Sequence, residues 1–206
     1  MASRRVLLLH RLGWIPVVVV FNNYFYTLKT VTGRSMQPTF NPDSSSWRDI
    51  ALFDRTVAAN GYKCERGDVV SLRSPISPKT LLLKRIIALE GDMVQTLPPY
   101  PEHTVTIPKG YVWIEGDERF HSEDSNHFGP VPLALINAKL TFIVWPLSRF
   151  GPPRSTPIDE RNSPAYSPAW RENNNDIARE RWRTARVQMA GDESNSASTD
   201  MHEDRE

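Results

Sequence analysis

Cysteine is nearly missing from this chain. Cys64 stands alone, which excludes an intramolecular disulfide and any cluster of thiolate metal ligands. A lone thiol of this kind is expected to be a small, partly buried packing group. An excess of charge of one sign is missing too. Lysine and arginine number 25 against 24 aspartates and glutamates, a net charge of +1 over 206 residues. No basic stripe with interleaved aromatics appears, so nucleic acid is not an expected partner. The five histidines show no HExxH or comparable ligand spacing, and neither a metal nor another cofactor is expected. Glycine is sparse, with 10 glycines against 17 prolines, which points to a loop-rich, β-rich body and not a helix bundle.

Long apolar runs are scarce as well. The strongest near the N-terminus, Trp14 to Phe21, is followed by Asn22 and Asn23 and falls short of the ~20 apolar residues of an unambiguous spanning helix. Counted from Val6 to Val31 the stretch is long enough to cross a bilayer, with the asparagines and Lys29 as its unfavourable members. Trp14, Tyr24 and Tyr26 suit the two interfaces, and Arg4, Arg5, His10 and Arg11 put the N-terminus on the positive side. No small-residue cleavage site follows, which argues against a secretory signal. Four consecutive valines, Val17 to Val20, are poor helix formers in water. A single membrane anchor over residues 1–31 is the expectation, with Ser35 a few residues beyond the opposite membrane face.

Ser35 lies in Gly33-Arg34-Ser35-Met36-Gln37-Pro38-Thr39. Pro38 fixes its own φ and pushes Gln37 into extended geometry, so no helix continues here. Gly33 permits a backbone conformation other residues resist. A stiff turn holding one hydroxyl in a fixed direction results. Serines in turns are common, and a base elsewhere must decide whether this one is a nucleophile.

The body that follows is a series of short apolar runs closed by Pro or Gly. Ile50 to Phe53, Val69 to Leu72, Leu81 to Leu89, Met93 to Gln95, Thr104 to Ile107 and Tyr111 to Glu115 stand out, and no long periodic helix falls between residues 33 and 147. An antiparallel β domain fits this pattern. Lys84 lies inside the most apolar run. Burying an ammonium favours the neutral amine, which at neutral pH is a general base. The plainer alternative puts Lys84 on the solvent face of an edge strand, with Arg85 alternating the other way. Ser35 and Lys84 together fit a serine nucleophile activated by a lysine. A polar segment, Gly116 to Val131, follows. Ser122 is placed to hydrogen-bond and orient the lysine, and Asp124 to fix the loop while meeting Arg85 or Arg119. A solvated loop held by Asx turns is the alternative for that segment alone.

Four blocks, in this order, resemble the type I signal peptidases, membrane-anchored Ser/Lys proteases: Ser35-Met36-Gln37-Pro38-Thr39, Arg66-Gly67-Asp68-Val69-Val70, Lys84 to Asp92, and Gly116-Asp117 through Ser125. Within that family the short body is similar to the mitochondrial inner membrane protease, subunit 2 more than subunit 1. The resemblance implies a mainly β fold, an antiparallel β-barrel-like catalytic domain over residues 32–148 behind one N-terminal transmembrane helix. It implies Ser35 as nucleophile, Lys84 as general base, Ser122 as support for the lysine, and Asp124 and Arg85 as stabilisers of the site. It also implies a sister catalytic subunit as partner, precursor polypeptides with sorting presequences as substrates, and a place in the inner-membrane bilayer facing the intermembrane space. Two positions depart from the pattern. Gly33 stands where many bacterial members carry a serine that helps bind the oxyanion, and Asn126 where an arginine is common. Loss of one oxyanion donor typically costs ~100–1000-fold in rate, so a substitute donor is expected.

Residues 149–206 lie outside the resemblance and read as a mostly disordered tail with no catalytic role. Within it, Asp176 to Met189 is either an amphipathic helix for a membrane or partner surface, or a marginal solvated helix. Two other functions compete. A non-catalytic subunit that stabilises a partner peptidase would retain the motifs without using them. A Ser-His-Asp hydrolase would use His121 or His127, but the Gly-x-Ser-x-Gly elbow is absent.

Overall fold

The computed structural model describes residues 13–43, 45–59, 64–118, 121–153 and 178–190. A helix over Ile15–Tyr24 opens it, with Pro16 in the first turn, where its missing N–H has no helical partner to lose. Ten strands follow: β1 Tyr26–Thr30, β2 Ile50–Asp54, β3 Val69–Arg73, β4 Leu81–Ala88, β5 Met93–Gln95, β6 Thr104–Thr106, β7 Tyr111–Glu115, β8 Val131–Pro132, β9 Ile136–Trp145 and β10 Val187–Gln188.

Seven strands form one antiparallel sheet in the order β1-β2-β9-β3-β4-β7-β8, and β10-β5-β6 form a second. The mainly β, antiparallel domain that was expected is thus present, with β1 and β8 as the edges of its larger sheet among the described residues. β9 lies between β2 and β3 and pairs with both. It is the longest strand, and the sequence reading passed over it.

Strand alternation explains the core. Successive side chains point to opposite faces, so Leu82, Lys84 and Ile86 share one face of β4 and Leu83 and Arg85 the other. Leu82 and Ile86 pack in a cluster with Val70, Leu72, Val112, Ile114 and Val131. Leu83 packs with Val31, Met36, Phe40, Phe53, Val69 and Leu140. Cys64 is a buried free thiol. β4 is thus an interior strand buried on both faces, not the edge strand of the plainer alternative.

The two ends of the described chain bear on the expected anchor and tail. Among the described residues no helix is long and apolar enough to cross a membrane, and Tyr26–Thr30, counted into the anchor, pairs with β2 from Tyr26↔Asp54 to Thr30↔Ile50. The folded body therefore starts before residue 32. Ser35 is separated from the helix by a five-residue strand, ~17 Å of extended chain, and not by a few residues. At the other end, 178–184 is helical and β10 pairs with β5 from Val187↔Val94 to Gln188↔Met93. The tail thus docks on its own body. Arg4, Arg5, His10, Arg11, Arg119, the linker at 154–169 and the acidic end 191–206 lie outside the described residues.

Candidate active site

The turn carrying Ser35 is pinned from both sides. Met36 and Phe40 are buried and join a core cluster with residues of β2, β3 and β9. Gly33 has φ +87, the left-handed region that glycine enters without penalty. Behind the turn, Asn41 Nδ2 donates to the Val31 carbonyl at 2.9 Å, and Asp49 N–H donates to Asn41 Oδ1 at 2.8 Å. Asp49 in turn accepts from Asn41 N–H at 2.8 Å and pairs with Arg149 at 2.5 Å. Arg149 also donates to the Thr39 carbonyl. Asn41, Asp49 and Arg149 were not singled out in the sequence. The Asn-Pro turn signal hinted at the first, and nothing local marks the other two.

β4 supplies the amine. Lys84 is 2% exposed, and its register partner on β3 is Val70. Burial lowers its pKa from the ordinary lysine value, against the opposing pull of the Asp124, Glu123 and Asp117 carboxylates. Its Nζ lies 2.8 Å from Ser122 Oγ. Ser122 Oγ in turn donates to Asp124 Oδ2 at 2.7 Å. That direction matters: a hydroxyl whose hydrogen goes to a carboxylate can only accept from the amine. In its neutral form, which burial favours, Lys84 would spend one N–H on Ser122 and keep its lone pair directed elsewhere. Asp124 also accepts from Gly116 N–H at 3.1 Å and Asn126 N–H at 3.1 Å, which fixes the loop around it.

Ser35 meets this corner through its backbone. Glu118 N–H donates to the Ser35 carbonyl at 3.0 Å. At Gly116 a Cβ would run into both Ser122 Oγ and the Ser35 carbonyl oxygen. Only glycine lets the Ser35 turn and the loop carrying Ser122 close on one another there. Ser35, Lys84, Ser122 and Asp124 are thus gathered around a single glycine.

Arg85 is placed differently from expectation. Its guanidinium grips Asp117, not Asp124, with Nε to Oδ1 at 3.0 Å and NH2 to Oδ2 at 2.8 Å. The sequence offered several carboxylates within a few residues, and alternation alone does not say which one faces β4. Burial opposes ionisation of Asp117, but Arg85 first and Arg183 after it outweigh this and hold the carboxyl well below the usual range. Asn126 stays within the loop network. Its Nδ2 reaches Glu115 Oε1 and Asp124 Oδ1, both at 3.2 Å, and its Oδ1 accepts from Leu97 N–H at 2.9 Å. His121 and His127 are exposed, and His127 Nδ1 sits 3.9 Å from Asp124.

The tail meets the same region. Arg183 pairs with Asp117 at 2.8 Å, and Arg186 with buried Glu115 at 2.6 Å. The sequence left these arginines in a segment read as either an amphipathic helix for a membrane or partner surface or a marginal solvated helix. Buried acids on β7 and its loop were the signal that counter-ions had to come from somewhere.

Comparison with known proteins adds the following. Residues 5–97 and 95–145 match the family described as signal peptidase, peptidase S26. The chain is 45% identical over 139 residues to mitochondrial inner membrane protease subunit 2 of Schizosaccharomyces pombe, covering 67% of this chain and 75% of that protein. Subunit 2 of Saccharomyces cerevisiae is 38% identical over 141 residues, covering 68% and 80%. Human subunit 1 of the same protease is 39% identical over 135 residues, covering 64% and 77%.

Proposed function

Because the chain belongs to the signal peptidase family, peptidase S26, and is a serine peptidase of that family, we propose that it is a membrane-anchored endopeptidase working through a Ser35/Lys84 dyad. Its substrates on this reading are precursors delivered to the mitochondrial intermembrane space, from which it removes hydrophobic sorting presequences. The observation that carries the dyad is Lys84, buried in an interior strand and hydrogen-bonded to a Ser122 hydroxyl already committed to Asp124.

The chemistry follows from that arrangement. Neutral Lys84 takes the Ser35 proton as Oγ attacks the scissile carbonyl, and the Ser35 N–H helps hold the oxyanion. Protonated Lys84 gives its proton to the leaving amine as the C–N bond breaks, leaving an ester on Ser35. Neutral again, Lys84 draws a proton from water as it attacks the ester, then passes that proton to Ser35 Oγ as the C–O bond breaks, which frees the new C-terminus and restores both residues. Ser122 and Asp124 aim the amine throughout. Arg85 and Asp117 brace the loop from the other face of β4.

The setting rests on the relatives. They are named as inner membrane protease subunits, and this chain is similar to both subunit types. That supports a location at the mitochondrial inner membrane, with the β body facing the intermembrane space and a sister catalytic subunit as partner. The test is cleavage of a fluorogenic peptide spanning a sorting-presequence junction by the purified full chain. Wild type is expected to cut it, and Ser35→Ala and Lys84→Ala to lose activity, the latter by ~100–10,000-fold. Cleavage by Ser35→Ala at the wild-type rate would overturn the assignment.

A further inference from the structure

The segment 178–190 is tied to the site at four points. Arg183 NH2 donates to Asp117 Oδ1 at 2.8 Å, the same oxygen that accepts from Arg85 Nε. Arg186 NH2 donates to Glu115 Oε2 at 2.6 Å, and Glu115 stands opposite Arg85 in the β4–β7 register. Gln95 N–H donates to the Arg186 carbonyl at 2.8 Å, within the β10–β5 pairing. Ala190 N–H donates to Asp92 at 3.0 Å. Arg186 also stacks on Trp182, 4.1 Å from the ring centroid. A groove of about 480 Å³ runs between the helical part of this segment and the site loop, with Leu97, Gly116, Asp117, Trp182 and Arg183 among its walls.

We infer that Arg183 is a positioning residue for the dyad: by sharing the Asp117 carboxylate with Arg85, it holds the Gly116–Asp117 junction against which Ser122 is presented to Lys84. This rests on the Ser35/Lys84 reading and adds to it a part of the chain outside the family match. The geometry is specific. Gly116 carries both close approaches, to Ser35 and to Ser122, and Asp117 is the next residue. Whatever fixes Asp117 fixes that junction. Two guanidiniums on one carboxylate, one from β4 and one from the tail, clamp it from two directions.

The electrostatic consequence has a definite sign. The charged groups around Lys84 are Arg85 on its own strand, Glu115 on β7, Asp117, Glu123 and Asp124 on the loop, and Arg183 and Arg186 from the tail. Across β3, Lys139 on β9 pairs with Asp68 at 2.8 Å. Asp117, Glu123 and Asp124 favour the ammonium form of Lys84. Arg183 offsets one of them. Its removal takes away a positive charge and leaves Asp117 less compensated, and both changes stabilise protonated Lys84. The fraction of neutral base at a given pH then falls.

The experiment compares full-chain wild type, Arg183→Gln, Arg183→Met and Arg183→Lys in detergent micelles. One readout is kcat/KM for the fluorogenic peptide against pH. The other, independent of turnover, is an NMR titration of the labelled Lys84 Cε, assigned with Lys84→Met. Expected for both neutral variants is an upward move of the acidic limb and of the Lys84 titration by ~0.5–1 pH unit. Activity then falls ~3–10-fold below the limb, in kcat more than KM. Arg183→Lys, which keeps the charge, should show little of this shift. A uniform loss at every pH with the Lys84 titration unmoved would overturn the inference and leave the dyad standing. A wild-type Lys84 that titrates like an ordinary lysine would overturn both. Having two neutral variants of different shape keeps the comparison open should one fail to fold.

Discussion

At the scale of single residues, Lys84 and Arg85 are neighbours with opposite tasks. Both are 2% exposed, but an amine can shed its proton near neutral pH and a guanidinium cannot. The depressed Lys84 pKa makes it a stability liability, beside its proposed part as a base. The unfolded chain binds its proton up to the ordinary lysine range, while the folded chain releases it earlier. Between those two values the unfolded state holds more protons, so stability rises with pH. Replacing Lys84 by Met is therefore expected to abolish cleavage yet raise Tm at pH 7, with the gain shrinking as pH approaches about 10. Calorimetry across that range checks it. Asp117 runs the other way: its folded pKa is depressed, so its contribution is present above about pH 4 and is lost as pH falls through the folded value. Asp117→Asn should destabilise the protein by ~3–5 kcal/mol at pH 7, as expected for breaking a buried ion pair. Denaturant midpoints at pH 7 and pH 3 should show the difference narrowing on acidification. Residue by residue, the sequence pointed to Ser35, Lys84 and Ser122 through chemistry that stands out in its surroundings. It did not reveal that Arg85 faces Asp117, because contact across a loop depends on how the chain folds back.

At the scale of elements, the short strands were readable because Pro and Gly close them on both sides, as Glu90-Gly91-Asp92 closes β4. β9 was equally readable in its first half, where Ile136, Ala138 and Leu140 are buried and their neighbours are not. Its pairing with β2 then shifts register twice, which breaks strict alternation. β1 was hidden for another reason. Asn22 and Asn23 are taken up in the helix, and no Pro or Gly separates it from β1, so a count from Val6 to Val31 carries straight through the strand. The tail strand β10 is two residues long and has no pattern of its own; its order comes from the arginines beside it. Arg186 is the sensitive one, since its removal leaves Glu115 buried and unpaired. Arg186→Met is expected to cost ~3–5 kcal/mol, and the added change Glu115→Gln to recover part of it. A double-mutant cycle by urea unfolding measures that coupling.

At the scale of the whole molecule, apolar surface is concentrated at the N-terminal end. Trp14, Ile15, Val17, Val19, Phe21, Tyr24 and Phe25 are all exposed, a run that a bilayer would cover on the anchored reading. The double variant Val19→Asp/Phe21→Asp is expected to leave liposomes in a flotation assay while the β body keeps its Tm. Retention on the liposomes would count against anchoring through this helix. The order of the large sheet has a further consequence, one of timing. The Ser35 turn is built on β1 and β2, through Val31, Asn41 and Asp49, whereas Lys84 belongs to the β3-β4-β7-β8 half. The two halves touch in the sheet only through β9, which ends at residue 145. On the proposed dyad, a chain still short of β9 carries Ser35 and Lys84 on pieces of the sheet with no strand between them. Cutting activity is then expected only from chains that extend past residue 145.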